Sequence, residues 1–223
     1  MECVLYGVGS PLVDEVLESL LRLNHVVRGG VANIETEYRP EGLAPIVEPD
    51  ELPDDWLSLP VVLPFVTPGH RWTVEREALG RGFRSFLTIV DPSAGLASTA
   101  VVGDGSFLGA GVLIGARSTI GRLVWVSRGS IVSHHAAFDD YAALGPGANL
   151  CGYVSLGRGA FVGAGAVVNP QVSIGANAVV ASGSVVRRDV PEHTLVAGNP
   201  AVVVAEVAGY NEVAVGELPD RPA

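Results

Sequence analysis

From Leu96 to Pro191 the apolar positions recur every six residues without a slip, so these 96 residues divide into sixteen blocks. The first place of every block is apolar, from Leu96, Val102 and Leu108 through to Ile174, Val180 and Val186. The fifth place is small or Val throughout, as in Ala100, Ser106, Val112, Ala136, Ala142 and Ala148. Glycine holds the second place in Gly103, Gly109, Gly115, Gly121, Gly145, Gly157, Gly163 and Gly175. A fixed short period marks a solenoid. A period of six predicts a parallel β-helix with triangular coils of three hexads. Its first-place aliphatics fill the interior, and its small residues and glycines permit tight corners.

Residues before about 90 follow a different pattern. ECVLYG reads as a strand, and Leu12, Val13, Val16, Leu17, Leu20 and Leu21 have helical spacing. Ser10 suits the N-cap, Pro11 the first helical position, and Asp14 and Glu15 the first turn. A second strand is expected over His25 to Ile34. After an acidic, Pro-rich excursion (Glu35 to Pro60), VVLPFV and SFLTIV read as two more strands, with a helix from His70 to Gly82 between them. The expectation is a small, mostly parallel, three-layer α/β domain of Rossmann-like type. Residues 1–92 form that domain, 93–203 the β-helix, and 204–223 a C-terminal tail.

Composition narrows the function. Of 223 residues, 48% are apolar and 17% charged, and the net charge of -10 argues against a nucleic-acid partner. It leaves room for a small phosphorylated ligand held by backbone N–H groups. No window offers ~18 uninterrupted apolar residues, so no membrane span is expected. Glu2 near the N-terminus argues against a secretory signal. Two unrelated cysteines, Cys3 and Cys151, fit a reduced, cytoplasmic protein.

Of the five histidines, two are adjacent, in SIVSHHAAFDD. His134 and His135 fill the third and fourth places of the block Val132 to Ala137, at a corner of the coil and facing outward. Near the N-terminus, Gly7, Gly9 and Ser10 lie between a strand and a helix N-terminus, where N–H groups and the helix dipole favour phosphate. Asn33 ends the second strand and is a candidate contact to base or ribose. Thr67 and Gly69 lie at the end of the third strand, where open α/β sheets bind ligands. Arg71 reads either as a phosphate contact or as a solvated residue at a helix start.

The period [LIV]-G-x-x-[AS]-x resembles that of the left-handed β-helix acyltransferases. Together with YGVGS, PGHRWTVEREALGRGF, DPSAGLASTAVVGDG, LGPGANLCGYVSLG and AGNPA, it makes nearly the whole chain similar to one family. These are the bacterial sugar N-acyltransferases that modify the amino group of nucleotide-linked amino sugars, the bacillosamine-type and sialic acid acetyltransferases. The resemblance implies acetyl-CoA as acyl donor, no metal, and direct transfer to a nucleotide-linked 4-amino-4,6-dideoxy sugar during surface glycan assembly. His134 falls on the family's general base, and a His titrating near ~6.5 suits that task at neutral pH. The Gly152 N–H, one coil onward, is a candidate for the oxyanion. Ala143, Gly152, Ala164 and Gly165 are expected along the coenzyme A site.

The chain also departs from the family. The acidic or amide residue that follows the family's His is here His135, with Asp139 or Asp140 as the alternative carboxylate. The phosphate loop Gly7-Val8-Gly9-Ser10-Pro11 is poorer in Gly. Ala143 stands where a second His is common, and Val202 where a basic residue follows GNPA. These departures motivate a second reading, a non-catalytic trimeric scaffold or ligand-binding protein. Related β-helices also include zinc enzymes, but a zinc site needs three converging imidazoles, and His25, His70 and His193 are placed outside the solenoid.

The sixth place of each block gives three outward strips. One reads Phe107, Trp125, Ala143, Phe161, Val179; another Leu113, Ile131, Asn149, Val167, Val185; the third Val101, Thr119, Ala137, Ser155, Ser173. An apolar strip carrying Trp125 predicts an interface. A closed homotrimer follows, with the His134 corner near a neighbour. The competing expectation is that the chain's own N-terminal domain or tail covers that strip.

Overall fold

The computed structural model describes residues 1–34 and 37–209. Its first part runs β1 (Glu2–Tyr6), α1 (Leu12–Arg22), β2 (Val26–Val31), β3 (Ile46–Val47), β4 (Val61–Val62) and α2 (Pro68–Arg81). The four strands form one parallel sheet in the order β3-β2-β1-β4. Successive residues of a strand point to opposite faces, and β1 uses both. Cys3 and Leu5 pack with Val13, Val16 and Leu20 of α1, whereas Val4 and Tyr6 pack with Val74 and Ala78 of α2. Three layers result, as the pattern predicts. The helix starts one residue later than expected: Pro11, not Ser10, is its N-cap, and the Ser10 hydroxyl accepts the Leu12 N–H at 3.3 Å from one place further out.

SFLTIV departs from expectation. It pairs with the α/β sheet only by a single bridge at Phe86, where the Val61 N–H donates to the Ser85 carbonyl and the Leu87 N–H to the Val61 carbonyl, both at 2.9 Å. Ile89–Val90 instead forms the first rung of the solenoid, pairing with Phe107–Leu108. The reason lies in the period: Val90 is six residues before Leu96 and in phase with it.

The solenoid has three parallel sheets of two-residue strands. The first sheet joins Ile89–Val90, Phe107–Leu108, Trp125–Val126, Ala143–Leu144, Phe161–Val162 and Val179–Val180. The second runs from Gly95–Leu96 to Val185–Val186, and the third from Val101–Val102 to Ser173–Ile174. Paired residues are one coil apart, Trp125 with Ala143 and Ile131 with Asn149. First-place side chains such as Leu108, Leu144 and Val162 are fully buried. Buried fifth-place serines are satisfied: Ser130 Oγ donates to the Gly145 carbonyl at 3.0 Å. At Gly115 the second-place glycine is demanded by the next coil at the same corner, since a Cβ there would lie 2.6 Å from the backbone nitrogen of His134.

A hairpin, Thr194–Gly198 with Ala201–Glu206, extends the first sheet. Its second strand runs into the segment expected to be tail, and the remainder from Tyr210 lies outside the described residues. His193 also belongs to the coil ladder, its N–H donating to the Ala176 carbonyl at 3.0 Å.

The α/β part covers the first face of the prism. Phe107, Trp125 and Ala143 are buried in one cluster with Val13, Val16 and Leu20, and the Phe107 and Trp125 rings stack at 4.2 Å. The strip expected at a subunit interface is therefore filled within the chain. Two polar clamps hold the seam. Buried Asp91 accepts the Ser19 hydroxyl at 2.7 Å and the Ser93 hydroxyl at 2.6 Å. Arg71, also buried, donates to the carbonyls of Leu123 (2.8 Å), Phe65 and Val66 (both 2.6 Å), Tyr141 (2.5 Å) and Ala142 (3.2 Å). One turn on, Glu75 accepts from Arg122 at 2.5 Å and from the Tyr141 hydroxyl. Neither reading of Arg71 as a phosphate contact or a solvated side chain holds. Its fork instead satisfies carbonyls that the seam removes from water.

Candidate active site

His134 and His135 sit at the corner between the second and third faces, the two that the α/β part leaves open. At this corner the fourth place of four successive coils is left-handed: Arg117 (φ 59), His135 (φ 57), Tyr153 (φ 61) and Gln171 (φ 65). His135 N–H donates to the Ala116 carbonyl at 2.9 Å and Tyr153 N–H to that of His134 at 3.0 Å, so the column is in register. The exposed imidazole of His134 lies on Gly152. A Cβ at Gly152 would stand 2.6 Å from its Cε1 and 2.8 Å from its Nε2.

The two Nδ1 atoms face each other at 3.1 Å. One must carry a proton and the other accept it. If His134 carries it, its Nε2 keeps a lone pair directed away from His135. Asp139 and Asp140 are at the next corner, where Asp140 Oδ1 accepts the Arg122 N–H at 2.9 Å, so neither orients His134. Tyr153 was not anticipated, although it lies one coil after His135. Its ring stacks on His135 (4.6 Å, 16°) and stands perpendicular to that of His134 (5.3 Å, 87°).

The N-terminal candidates gather at the carboxyl ends of β1 and β4. There α1 and α2 leave on opposite faces, the switch point where such sheets bind ligands. Gly7 and Val8 N–H both donate to the Val31 carbonyl, at 2.9 and 3.2 Å, and are not open to phosphate. Gly7 (φ 93) serves close packing, because a Cβ there would come 2.3 Å from the Phe65 ring and 3.4 Å from Asn33 Oδ1. Asn33 Nδ2 donates to Glu77 at 2.9 Å, and its buried Oδ1 has no hydrogen-bond partner. Thr67 is exposed at the N-cap of α2 without bonding through its side chain, and Gly69 follows in the first turn. Beside it, burial holds the His70 imidazole below its usual range.

Of the coenzyme positions, Ala143 is sealed between Trp125 and Phe161 under the α/β part and meets no solvent. It cannot touch a ligand. Ala164 and Gly165 lie at the corner between the first and second faces. There Gly129, Gly147, Gly165 and Gly183 (φ 68, 68, 64 and 70) form a column with open space beside each. Val202 is exposed in the final strand. No cluster of three metal-ligating side chains occurs among the described residues, and none of their helices is long and apolar enough to cross a membrane.

A hexapeptide solenoid carrying an imidazole pair at an open corner defines a class, and the bacterial transferase hexapeptide (six repeats) family matches residues 153–188. No curated protein matches the chain, but solved structures do. The GDP-perosamine N-acetyltransferase of Caulobacter crescentus, solved as a mutant with CoA and GDP-perosamine, is 31% identical with a TM-score of 0.82. That match covers 92% of this chain and 97% of that one. The acetyltransferase domain of PglB from Neisseria gonorrhoeae, in complex with acetyl coenzyme A, is 24% identical over 91% of this chain and 98% of its own, with a TM-score of 0.81. WeeI from Acinetobacter baumannii is 22% identical over 92% of this chain and 100% of its own, at 0.74. The last two speak for the fold. The chain belongs to the nucleotide-sugar N-acetyltransferases of the hexapeptide-repeat superfamily.

Proposed function

We propose that the chain transfers an acetyl group from acetyl-CoA to the amino group of a nucleotide-linked 4-amino-4,6-dideoxy sugar, with His134 as general base. The observation that carries this reading is the His134 imidazole on Gly152, tied through Nδ1 to His135 and free at Nε2. Acetyl-CoA, when bound, supplies an activated thioester carbonyl, so no acyl-enzyme is required. His134 Nε2 takes a proton from the sugar nitrogen as the C–N bond forms, and returns it to the sulfur as the C–S bond breaks. The Gly152 N–H, outside the coil-to-coil ladder, is the candidate donor to the carbonyl oxygen.

The Rossmann-like crevice at Asn33, Phe65, Thr67 and Gly69 would hold the nucleotide. The unpartnered Asn33 Oδ1 there suits a ribose hydroxyl or a base N–H. Phosphate would be met by Gly9, Ser10 and the first turn of α2 and not by Gly7. The open ledge at Ala164 and Gly165 fits the pantetheine arm, because no side chain blocks it. In one chain that ledge and His134 are on different corners, with the second face between them. A homotrimer of left-handed prisms joins the ledge of one subunit to the His134 corner of the next. Leu113 (49% exposed) and Ile131 (41%) on the second face are the apolar surface such an assembly would cover. We place the enzyme in the cytoplasm, with its two thiols unpaired.

The test is acetyl transfer from acetyl-CoA to a panel of nucleotide-linked amino sugars, followed by mass spectrometry. His134→Ala should lower kcat by about 10²–10⁴ while sugar-nucleotide binding persists. Wild-type turnover in that variant would remove His134 from the mechanism.

A further inference from the structure

We propose that Tyr153 is a positioning residue: its ring fixes the plane of His135, and His135 holds the proton of His134 on Nδ1. The inference rests on His134 being the base.

The coil pitch builds the contact. Strands of neighbouring coils are ~4.8 Å apart, so side chains of one column arrive close to ring-stacking distance. His135 and Tyr153 meet that distance at 4.6 Å, with planes 16° apart. Arg117 and Gln171, the neighbours in the column, are not aromatic. The left-handed backbone at these places disfavours a Cβ by ~1–2 kcal/mol. At the glycine corner the same place is relieved by Gly129, Gly147 and Gly165. Large rings at 135 and 153 therefore occupy positions that backbone strain alone would give to glycine.

Tyr153 contributes little to the core. It is 53% exposed, lies in none of the buried clusters, and its hydroxyl makes no hydrogen bond among the described residues. Its ring contacts are the two imidazoles. The stack leaves His135 two orientations related by a ring flip, and only one presents Nδ1 to His134. With the His135 proton assigned to Nε2, its Nδ1 accepts from His134 in this orientation. His134 then keeps Nδ1–H and an unprotonated Nε2, the tautomer the base requires. A tilted His135 ring would lose the 3.1 Å contact and release His134 to the other tautomer.

Two measurements on the full chain decide the matter. In steady-state acetylation, Tyr153→Ala should lower kcat about 10-fold and leave both KM values within about twofold, a loss made in the transition state. Tyr153→Phe, which keeps the ring, should rescue the rate. In a His135→Ala background, Tyr153→Ala should change kcat by less than about twofold, because the two act in series. Nitrogen NMR of histidine-labelled protein should find His134 protonated at Nδ1 in the wild type and shifted toward Nε2–H in Tyr153→Ala. Equal losses with and without His135, a Tyr153→Phe as slow as Tyr153→Ala, or an unchanged His134 tautomer would each overturn the proposal. If the wild type acetylates no amino sugar, the reading of His134 as base fails, and the nitrogen spectra still judge the Tyr153–His135–His134 coupling.

Discussion

Replacing Gly152 with Ala adds one methyl group beneath the ring of His134. The methyl carbon would stand 2.6 Å from Cε1 and 2.8 Å from Nε2, whereas unstrained carbon contacts lie at about 3.5–4.0 Å. The ring must therefore move by about 1 Å. His134 is an exposed side chain that can shift by giving up its contact with His135, and Gly152 does not have a left-handed φ, so the fold tolerates the change. The loss of a glycine from the unfolded chain even favours folding by about 0.4–1 kcal/mol. A misplacement of about 1 Å costs about 10²-fold in rate, which is about 2.7 kcal/mol of barrier. The assay is release of the coenzyme thiol during acetylation, paired with thermal unfolding of the same preparation. Expected are a kcat down about 100-fold, KM for acetyl-CoA little changed, and Tm unchanged or higher. Full turnover with the methyl in place would show that the ring position does not matter. A lowered Tm would show that Gly152 serves the backbone instead.

Three further outcomes follow from the seam and the open faces. Arg71→Met takes the guanidinium from the Leu123, Phe65, Val66 and Tyr141 carbonyls and should destabilise the chain by about 3–5 kcal/mol in urea unfolding; Arg71→Lys should not rescue it, since an ammonium cannot reproduce the fork. Burial pushes the Asp91 carboxyl up, but hydrogen bonds from Ser93 and Ser19 hold it below its ordinary 3.8. A depressed carboxyl stabilises the fold above the unfolded value and loses that contribution as pH falls through the folded one. The urea-midpoint gap between wild type and Asp91→Asn should accordingly shrink below about pH 4. Ile131→Glu should make light scattering report a smaller particle than wild type, and an unchanged mass would remove the second face from the assembly.

The solenoid was legible because one residue type recurs at one spacing, and even its unanticipated first rung obeys the phase, with Val90 six before Leu96. The histidine corner was legible for the same reason, and Tyr153 was within reach by counting one coil from His135. What covers an outward strip was not legible. Phe107 and Trp125 present the same sequence whether a neighbour or the chain's own α1 buries them, because hydrophobicity is not directional. Arg71 was missed because its partners are backbone carbonyls, which every residue possesses and no pattern of side chains reveals. The phosphate loop misled in a similar way: Gly7 is needed for the approach of Phe65, a requirement set by a residue 58 positions away.

The seam between the two parts of the chain limits how the enzyme can move. Opening it as a hinge would expose the Phe107–Trp125 stack to water, take the Leu123, Tyr141 and Ala142 carbonyls from the Arg71 guanidinium and take the Ser19 hydroxyl from the Asp91 carboxylate. Separation would thus cost as much as unfolding a sizeable part of the core. Domain closure of the kind that sets turnover in many transferases is not available here. Substrate capture and product escape are left to side chains and short loops, Phe65 over Gly7 among them, so the catalytic cycle should need no large rearrangement of the backbone.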